Sequence, residues 1–308
     1  MFADDTNLFY SHKNIKTLFE VVNTELGKLS EWFAANSLSL NIGKTKYALF
    51  HPERKKIPEN IPKLSIDNHQ IERNPVNKFL GILIHENLTW DDHIRYIKQK
   101  ISKNLGILYK TRQIVGKNSL KQLYFSFINS YLSYGNIIWG STYKTTLEPL
   151  YVKQKHASRI IFNENRFQHS EPLLKEMKAL NIYQLNIFST ACFMFKNIIL
   201  KETPQVFDTL SNVNDNKYQT RLCGNLKKPY CKTYRRQKTI AYRGPYVWNA
   251  ICKMEKEKEK EKAKQIQDDN GEEEAEDTKI FSKHSYNSFK FKIKTYLLNK
   301  DINTQNFY

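Results

Sequence analysis

The chain has 308 residues, of which 40% are hydrophobic and 13% aromatic, so it can bury a core and is not wholly disordered. Its 49 Lys and Arg residues exceed its 31 Asp and Glu residues, and the net charge of +18 favours nucleic acid or an anionic membrane face. Four scattered cysteines exclude a disulfide scaffold, and the longest apolar run, 187–200, is too short to span a bilayer. The scarce, scattered cysteines favour a reducing, intracellular compartment, nuclear or cytoplasmic. The sequence shows neither a basic amphipathic helix nor a lipidation signal, so we expect no membrane partner.

The positive charge is unevenly distributed along the chain. Residues 1–90 carry a net charge of +1, residues 91–252 carry +17, residues 253–279 carry −4 and residues 280–308 carry +4. The third segment alternates Glu with Lys and has no aromatic residue, which predicts a solvated low-complexity insertion that forms at most a transient exposed helix. These four segments are the domain division that we predict, and the last one is expected to be a C-terminal helix.

The first ninety residues have the pattern of an α+β fold, with one helix packed on a small and mostly antiparallel sheet. Apolar residues recur at helical spacing and predict a helix over 14–35. Alternation and turn residues predict the strand segments of this sheet: a strand over 46–50, a hairpin over 64–71 that turns at Asp67-Asn68, and a strand over 79–84.

A helical period replaces this pattern from Thr89 onward. Asp91 and Asp92 suit the first turn of a helix, whose positive end they stabilise. An apolar stripe then runs from Ile94 to Leu108, and Gly116 marks the interruption before the next helix. Residues up to about 200 are therefore predicted to be mainly helical, and the pattern after that point is weak.

The opening segment places two acidic residues between short apolar pieces. This arrangement predicts two strands joined by a turn, with Asp4 and Asp5 at the tip. Paired carboxylates can bind a hard divalent cation, although a polar turn without a metal explains the same residues. Two-metal phosphoryl transfer also needs more than one carboxylate, usually from different strands.

Several segments in a fixed order resemble the motifs of one enzyme family, namely FADDTNLF, SLSLNIGKTKYALF, NKFLGILIHENLTWDDHI, SYLSYGNIIWG, QKHASRIIF, AYRGPYVWN and SFKFKIKTYLL. The chain resembles the reverse transcriptases of non-LTR, LINE-like retrotransposons of the jockey/CR1 type, over nearly its whole length apart from 253–279. The resemblance implies a partial polymerase palm followed by a mainly α-helical thumb and connection region. It also implies a nucleotidyltransferase that extends a DNA primer on an RNA template, using dNTPs and Mg²⁺ in the intact enzyme.

The resemblance also implies roles for individual residues. Asp4 would be the main metal ligand and Asp5 its neighbour, while Lys44 would lie near the nucleotide phosphates, with Lys46 as the competing candidate. A solvated strand edge explains both lysines equally well. The primer-grip turn would comprise three consecutive residues, in which glycine allows close backbone approach: Phe79, Leu80 and Gly81.

The family palm also uses an aspartate from an earlier strand, together with the fingers that hold template and nucleotide. Met1 lies one residue before the Phe-Ala-Asp-Asp motif. We therefore expect the chain to be a C-terminal fragment of a transposable-element polymerase. By itself it should not complete a two-metal site, and it should be inactive. The alternative is a non-catalytic, basic nucleic-acid-binding protein derived from the element.

A basic stretch from Lys217 to Arg243 contains nine basic and no acidic residues, with four interspersed tyrosines. Basic side chains neutralise phosphates while aromatic rings stack on unpaired bases, so this stretch predicts nucleic-acid binding. A solvated basic loop is the alternative. The predicted contacts, which include one lysine of the first segment, are Lys46, Lys227, Lys228, Lys232, Arg235, Arg236, Lys238 and Arg243.

Overall fold

The computed structural model describes residues 6–51, 57–58, 60–213, 225–266, 281 and 284–299. The chain divides into two compact units, Met1–His93 and Ile94–Tyr308. Helices predominate and the strands are short, which agrees with the predicted α+β class. None of the described helices is both long enough and apolar enough to cross a membrane.

Helix α1, Ile15–Ala35, organises the first unit and confirms the helix predicted over 14–35. Asn14 begins it, because its side chain accepts a hydrogen bond at 2.9 Å from the backbone N–H of Lys16. The apolar face of the helix packs into a small core, whose buried members are Phe19, Leu26, Leu49, Leu64, Ile66 and Ile71.

The described strands form three separate pairs, whereas a single sheet was predicted. Strand β1, Lys46–Tyr47, is shorter than the predicted strand and runs parallel to β4, Glu72–Arg73. Strands β2, Ser65–Ile66, and β3, His69–Gln70, are antiparallel. Between them Asp67 and Asn68 adopt φ values of 47° and 62°, and this two-residue turn confirms the predicted hairpin.

The strand predicted over 79–84 is wrong, because the chain reverses within it. Strand β5, Val76–Phe79, pairs antiparallel with β6, Ile82–His85. Leu80 and Gly81, with φ values of 45° and 84°, form the tight turn that joins them. A leucine rarely adopts a positive φ, so the apolar pattern indicated one continuous strand.

The second unit is helical, and it confirms both the helix predicted from residue 91 and the interruption at Gly116. Helix α2, Asp91–Thr111, begins in the last three residues of the first unit and continues into the second. As far as residue 200 the second unit then comprises helices α3, Lys117–Tyr124, α4, Ser130–Ser133, α5, Asn136–Trp139, α6, Lys144–Phe162, α7, Ser170–Glu176, and α8, Ile182–Phe195, with π-helical segments at Phe125–Asn129 and Lys196–Leu200.

Helix α8 is the centre of the second unit. Ten of its 14 residues are buried, and it packs against α4, α5, α6 and two later helices. Asn181 caps its start, since the side chains of Asn181 and Gln184 each accept a hydrogen bond from the other's backbone N–H at 2.9 Å.

Beyond residue 200 the structure contains a 3₁₀ helix, Gln205–Ser211, a short α9, Tyr234–Gln237, a long α10, Ile240–Ile266, and α11, Tyr286–Leu298. Aromatic rings connect α8, α10 and α11: Phe289 of α11 lies 4.4 Å from Phe195 of α8 and 6.0 Å from Trp248 of α10, measured between ring centroids. Helix α10 continues through the predicted division at 252/253, so the start of the Glu-Lys segment belongs to a packed helix.

Candidate nucleic-acid interface

The acidic pair predicted to bind metal, Asp4 and Asp5, lies outside the described residues, so this role stays a prediction. Within the part of the chain that the structure describes, no group of three or more His, Cys, Asp or Glu side chains could hold a metal ion.

The structure distinguishes the two lysines that the sequence left as alternatives. Lys44 ends a 3₁₀ turn, where the side chain of Asn41 accepts a hydrogen bond at 3.2 Å from its backbone N–H. The Lys44 side chain is exposed, and it makes no ion pair with any described residue. Lys46 is instead paired with Glu72 of β4, and this hydrogen bond and charge lower the pKa of Glu72. Lys46 would have to leave Glu72 to bind a phosphate.

The three residues predicted to form the primer grip come together at the tip of the β5–β6 hairpin. Phe79 pairs with Ile82 across the turn, and Leu80 is 41% exposed. A non-glycine residue at positive φ costs roughly 1–2 kcal/mol, so this tip holds a leucine in a strained conformation. Backbone strain of this kind is frequent at functional sites, although contact with a primer stays a prediction.

The basic stretch is described from residue 225 onward, and its cations lie in different environments. Most of the predicted contact residues are exposed: Lys227, Lys228, Lys232, Arg235 and Arg236. Lys238 is half-buried, and burial together with the charge of Arg243 lowers the pKa of Lys238 to about 8.

Arg243 does not lie at the surface, which corrects its prediction as a nucleic-acid contact. It is only 5% exposed, and its guanidinium donates a hydrogen bond to Asn186 Oδ1 at 2.7 Å. Asn186 in turn donates through Nδ2 to the backbone carbonyl of Asn136 at 2.9 Å. Because a buried charge needs hydrogen-bond partners, Arg243 holds α10, α8 and α5 together instead of reaching a phosphate.

A second segment, which the sequence interpretation missed, meets the basic stretch. The ring of Tyr143 stacks on that of Tyr234, with centroids 4.7 Å apart and an interplanar angle of 20°. Beside them Ser141 Oγ donates a hydrogen bond at 2.7 Å to the backbone carbonyl of Lys238, 97 residues away. No local pattern could predict so distant a contact; the only signal was tyrosine near basic residues in both segments.

Comparison with known proteins relates the chain to one polymerase. A Drosophila melanogaster protein described as "Probable RNA-directed DNA polymerase from transposon X-element" is 21% identical over 186 residues. The match covers 59% of this chain and 20% of that protein, so the chain spans about a fifth of the length of its relative. No protein-family model and no solved structure matches. The similarity supports the reverse-transcriptase relation that the motifs imply.

Proposed function

We propose that the chain is the C-terminal part of an RNA-directed DNA polymerase of a non-LTR retrotransposon. It comprises a part of the palm, residues 1–90, and the helical region that follows. The observation that carries the proposal is the similarity to the X-element polymerase, which agrees with the order of the motifs. In the intact polymerase the reaction is nucleotidyl transfer to a primer 3′-end, directed by an RNA template and assisted by two Mg²⁺ ions.

Each predicted site residue of the partial palm has a role in this proposal. Asp4 and Asp5 would hold Mg²⁺, which offsets charge on the attacking and leaving oxygens. The exposed ammonium of Lys44, rather than the paired one of Lys46, would stabilise charge on the nucleotide phosphates. The Leu80-Gly81 turn would contact the primer backbone, since glycine leaves room for close approach.

The test is primer extension on an RNA template by the 308-residue chain, with Asp4→Ala as the control and binding of the labelled primer–template measured in parallel. We expect salt-dependent binding without incorporation, because a two-metal site needs carboxylates from more than one strand. Incorporation that depends on Asp4 would overturn the expected inactivity of this chain. Absence of binding at low salt would overturn the polymerase assignment itself.

A second candidate is a non-catalytic nucleic-acid-binding protein. The observation that favours it is the row of exposed cations between Lys227 and Arg236, a stretch that contains no acidic residue. The two candidates separate when the chain is joined to the corresponding upstream part of a related polymerase. Extension by the joined protein that is lost in Asp4→Ala supports the polymerase, whereas binding without extension supports the second candidate.

A further inference from the structure

The geometry points to a binding site for single-stranded nucleic acid on the second unit, in which the stacked rings of Tyr143 and Tyr234 receive an unpaired base. We call these two residues the tyrosine pair. The inference rests on the proposed nucleic-acid function and deepens it, because it names the form of nucleic acid that this surface binds and the ring that contacts it.

The tyrosine pair is half-exposed, and its two chain segments are firmly held. Tyr143 is 54% exposed and Tyr234 is 41% exposed, whereas an aromatic pair in a core would be covered. The hydrogen bond from Ser141 to the carbonyl of Lys238 joins the segments directly. Two buried hydrogen bonds, from Arg243 to Asn186 and from Asn186 to the carbonyl of Asn136, connect the same two segments a second time.

This support makes the pair a pre-organised platform. A ring that is already fixed loses little conformational freedom when a base stacks on it, so more of the contact energy appears as affinity. Tyr234 contacts the Tyr143 ring and also has the Lys238 ammonium 4.5 Å from its centroid. Tyr143 is the more open ring, and we assign the base to it.

The charge around the platform matches a phosphate backbone. Neither 134–147 nor 225–254 contains an acidic residue. Exposed cations follow the pair closely in both segments: Lys144 after Tyr143, and Arg235 and Arg236 after Tyr234. The nearest acidic residue in sequence, Glu148, accepts a hydrogen bond from the Tyr183 hydroxyl at 2.8 Å and lies 3.4 Å from the Lys155 ammonium. Its charge is therefore already offset.

The combination of a ring and cations selects single strands. In a duplex the bases stack on each other and present only their edges, so a tyrosine face cannot reach them without unstacking. In a single strand every base offers a face, and stacking needs no particular sequence. Cations alone would serve a duplex equally well, so the exposed tyrosine pair is the feature that distinguishes the two.

The test measures fluorescence anisotropy of labelled oligodeoxythymidylate and oligouridylate of ~12 nucleotides, each also prepared with abasic central positions. We expect Tyr143→Ala and Tyr143→Leu to weaken binding of the base-containing strands about tenfold, and Tyr143→Phe to retain it. All variants should bind the abasic strands equally. Either strand satisfies the inference, and the ratio of the two affinities identifies DNA or RNA as the preferred partner.

The matched control is Tyr109→Ala. Tyr109 is also 54% exposed and lies 4.2 Å from the Arg112 guanidinium, but belongs to α2, away from the platform in sequence. Equal losses in Tyr109→Ala and Tyr143→Ala would overturn the site, as would an unchanged affinity in Tyr143→Ala. In both cases wild-type binding leaves the proposed function intact. If the wild type binds neither single strands nor primer–template at low salt, both proposals fail.

Discussion

At the scale of single residues, His93 shows how burial changes the protonation of a side chain. Its ring is only 2% exposed, and the backbone N–H of Leu83 donates to its Nδ1 at 3.3 Å. Burial disfavours the imidazolium and lowers the pKa of His93 from 6.5 to about 4. An Nδ1 that accepts a hydrogen bond is unprotonated, so the geometry and the lowered pKa of His93 both favour the neutral ring.

The stability of the protein should therefore fall on mild acidification. Between pH 6.5 and about 4 the unfolded chain binds a proton at His93 that the folded chain does not. The free energy of unfolding should decrease through this window by up to about 3 kcal/mol, and remain unaffected by this group above it. Urea unfolding at a series of pH values measures the decrease.

His93→Gln supplies an acceptor for Leu83 without a titrating ring, so it should flatten the pH dependence. His69→Gln, at an exposed position of the same unit, is the matched control and should leave the dependence as in the wild type. Similar profiles for the wild type and His93→Gln would show that other groups cause the acid sensitivity.

At the scale of elements, the contact between α10 and α11 depends on one glutamate of a repetitive segment. Glu255 begins the Glu-Lys alternation but is only 4% exposed. Its carboxylate pairs with the Lys292 ammonium and accepts a hydrogen bond at 2.7 Å from the Tyr296 hydroxyl, both on α11. Glu257, two residues later, is exposed and lies 3.8 Å from Lys253 of its own helix.

Substitution of these two glutamates by alanine should have very different effects. Glu255→Ala removes the acceptor that the half-buried side chains of Lys292 and Tyr296 share, which should lower the free energy of unfolding by about 2 kcal/mol. Glu257→Ala removes an exposed i,i+4 pair and should cost at most about 0.5 kcal/mol. Equilibrium denaturation of the two variants measures the difference, and equal losses would contradict the assigned contact.

The elements predicted correctly are those that local sequence patterns determine. Helices α1 and α2 and the Asp67-Asn68 hairpin follow from local periodicity, caps and turn residues, and the structure confirms them. The Leu80-Gly81 turn was missed because a leucine occupies a conformation that residues other than glycine usually avoid. In each of these cases the determining interactions lie within a few residues.

Long-range contacts, by contrast, were not predictable from these patterns. Arg243 and Arg236 both belong to one basic stretch, yet one is buried and the other exposed, because only the fold places Asn186 beside Arg243. The meeting of Tyr143 with Tyr234 depends equally on distant packing. The basic, tyrosine-rich composition of the candidate interface was therefore predictable, whereas its geometry and its supporting residues were not.

At the scale of the whole molecule, the net charge of +18 is a property of one region. Residues 1–90 are nearly neutral, and residues 91–252 carry +17. A diffuse positive charge would attract nucleic acid without contacts from particular residues. In a localised binding surface, a few defined Lys and Arg residues neutralise phosphates, and each contact releases counterions from the nucleic acid. The salt dependence of binding separates these two cases, because its slope counts the phosphates that the protein neutralises.

We expect the double substitution Lys232→Gln with Arg236→Gln to reduce the salt slope for a single strand by about 1.4, since each phosphate contact contributes about 0.7. Tyr143→Ala should weaken binding without changing the slope, because stacking displaces no counterion. Lys13→Gln with Lys16→Gln removes two exposed cations from the nearly neutral first unit and should leave the slope unchanged. Equal reductions by both double substitutions would mean that the partner senses the charge of the whole molecule, and that the exposed cations of the basic stretch do not form a localised surface.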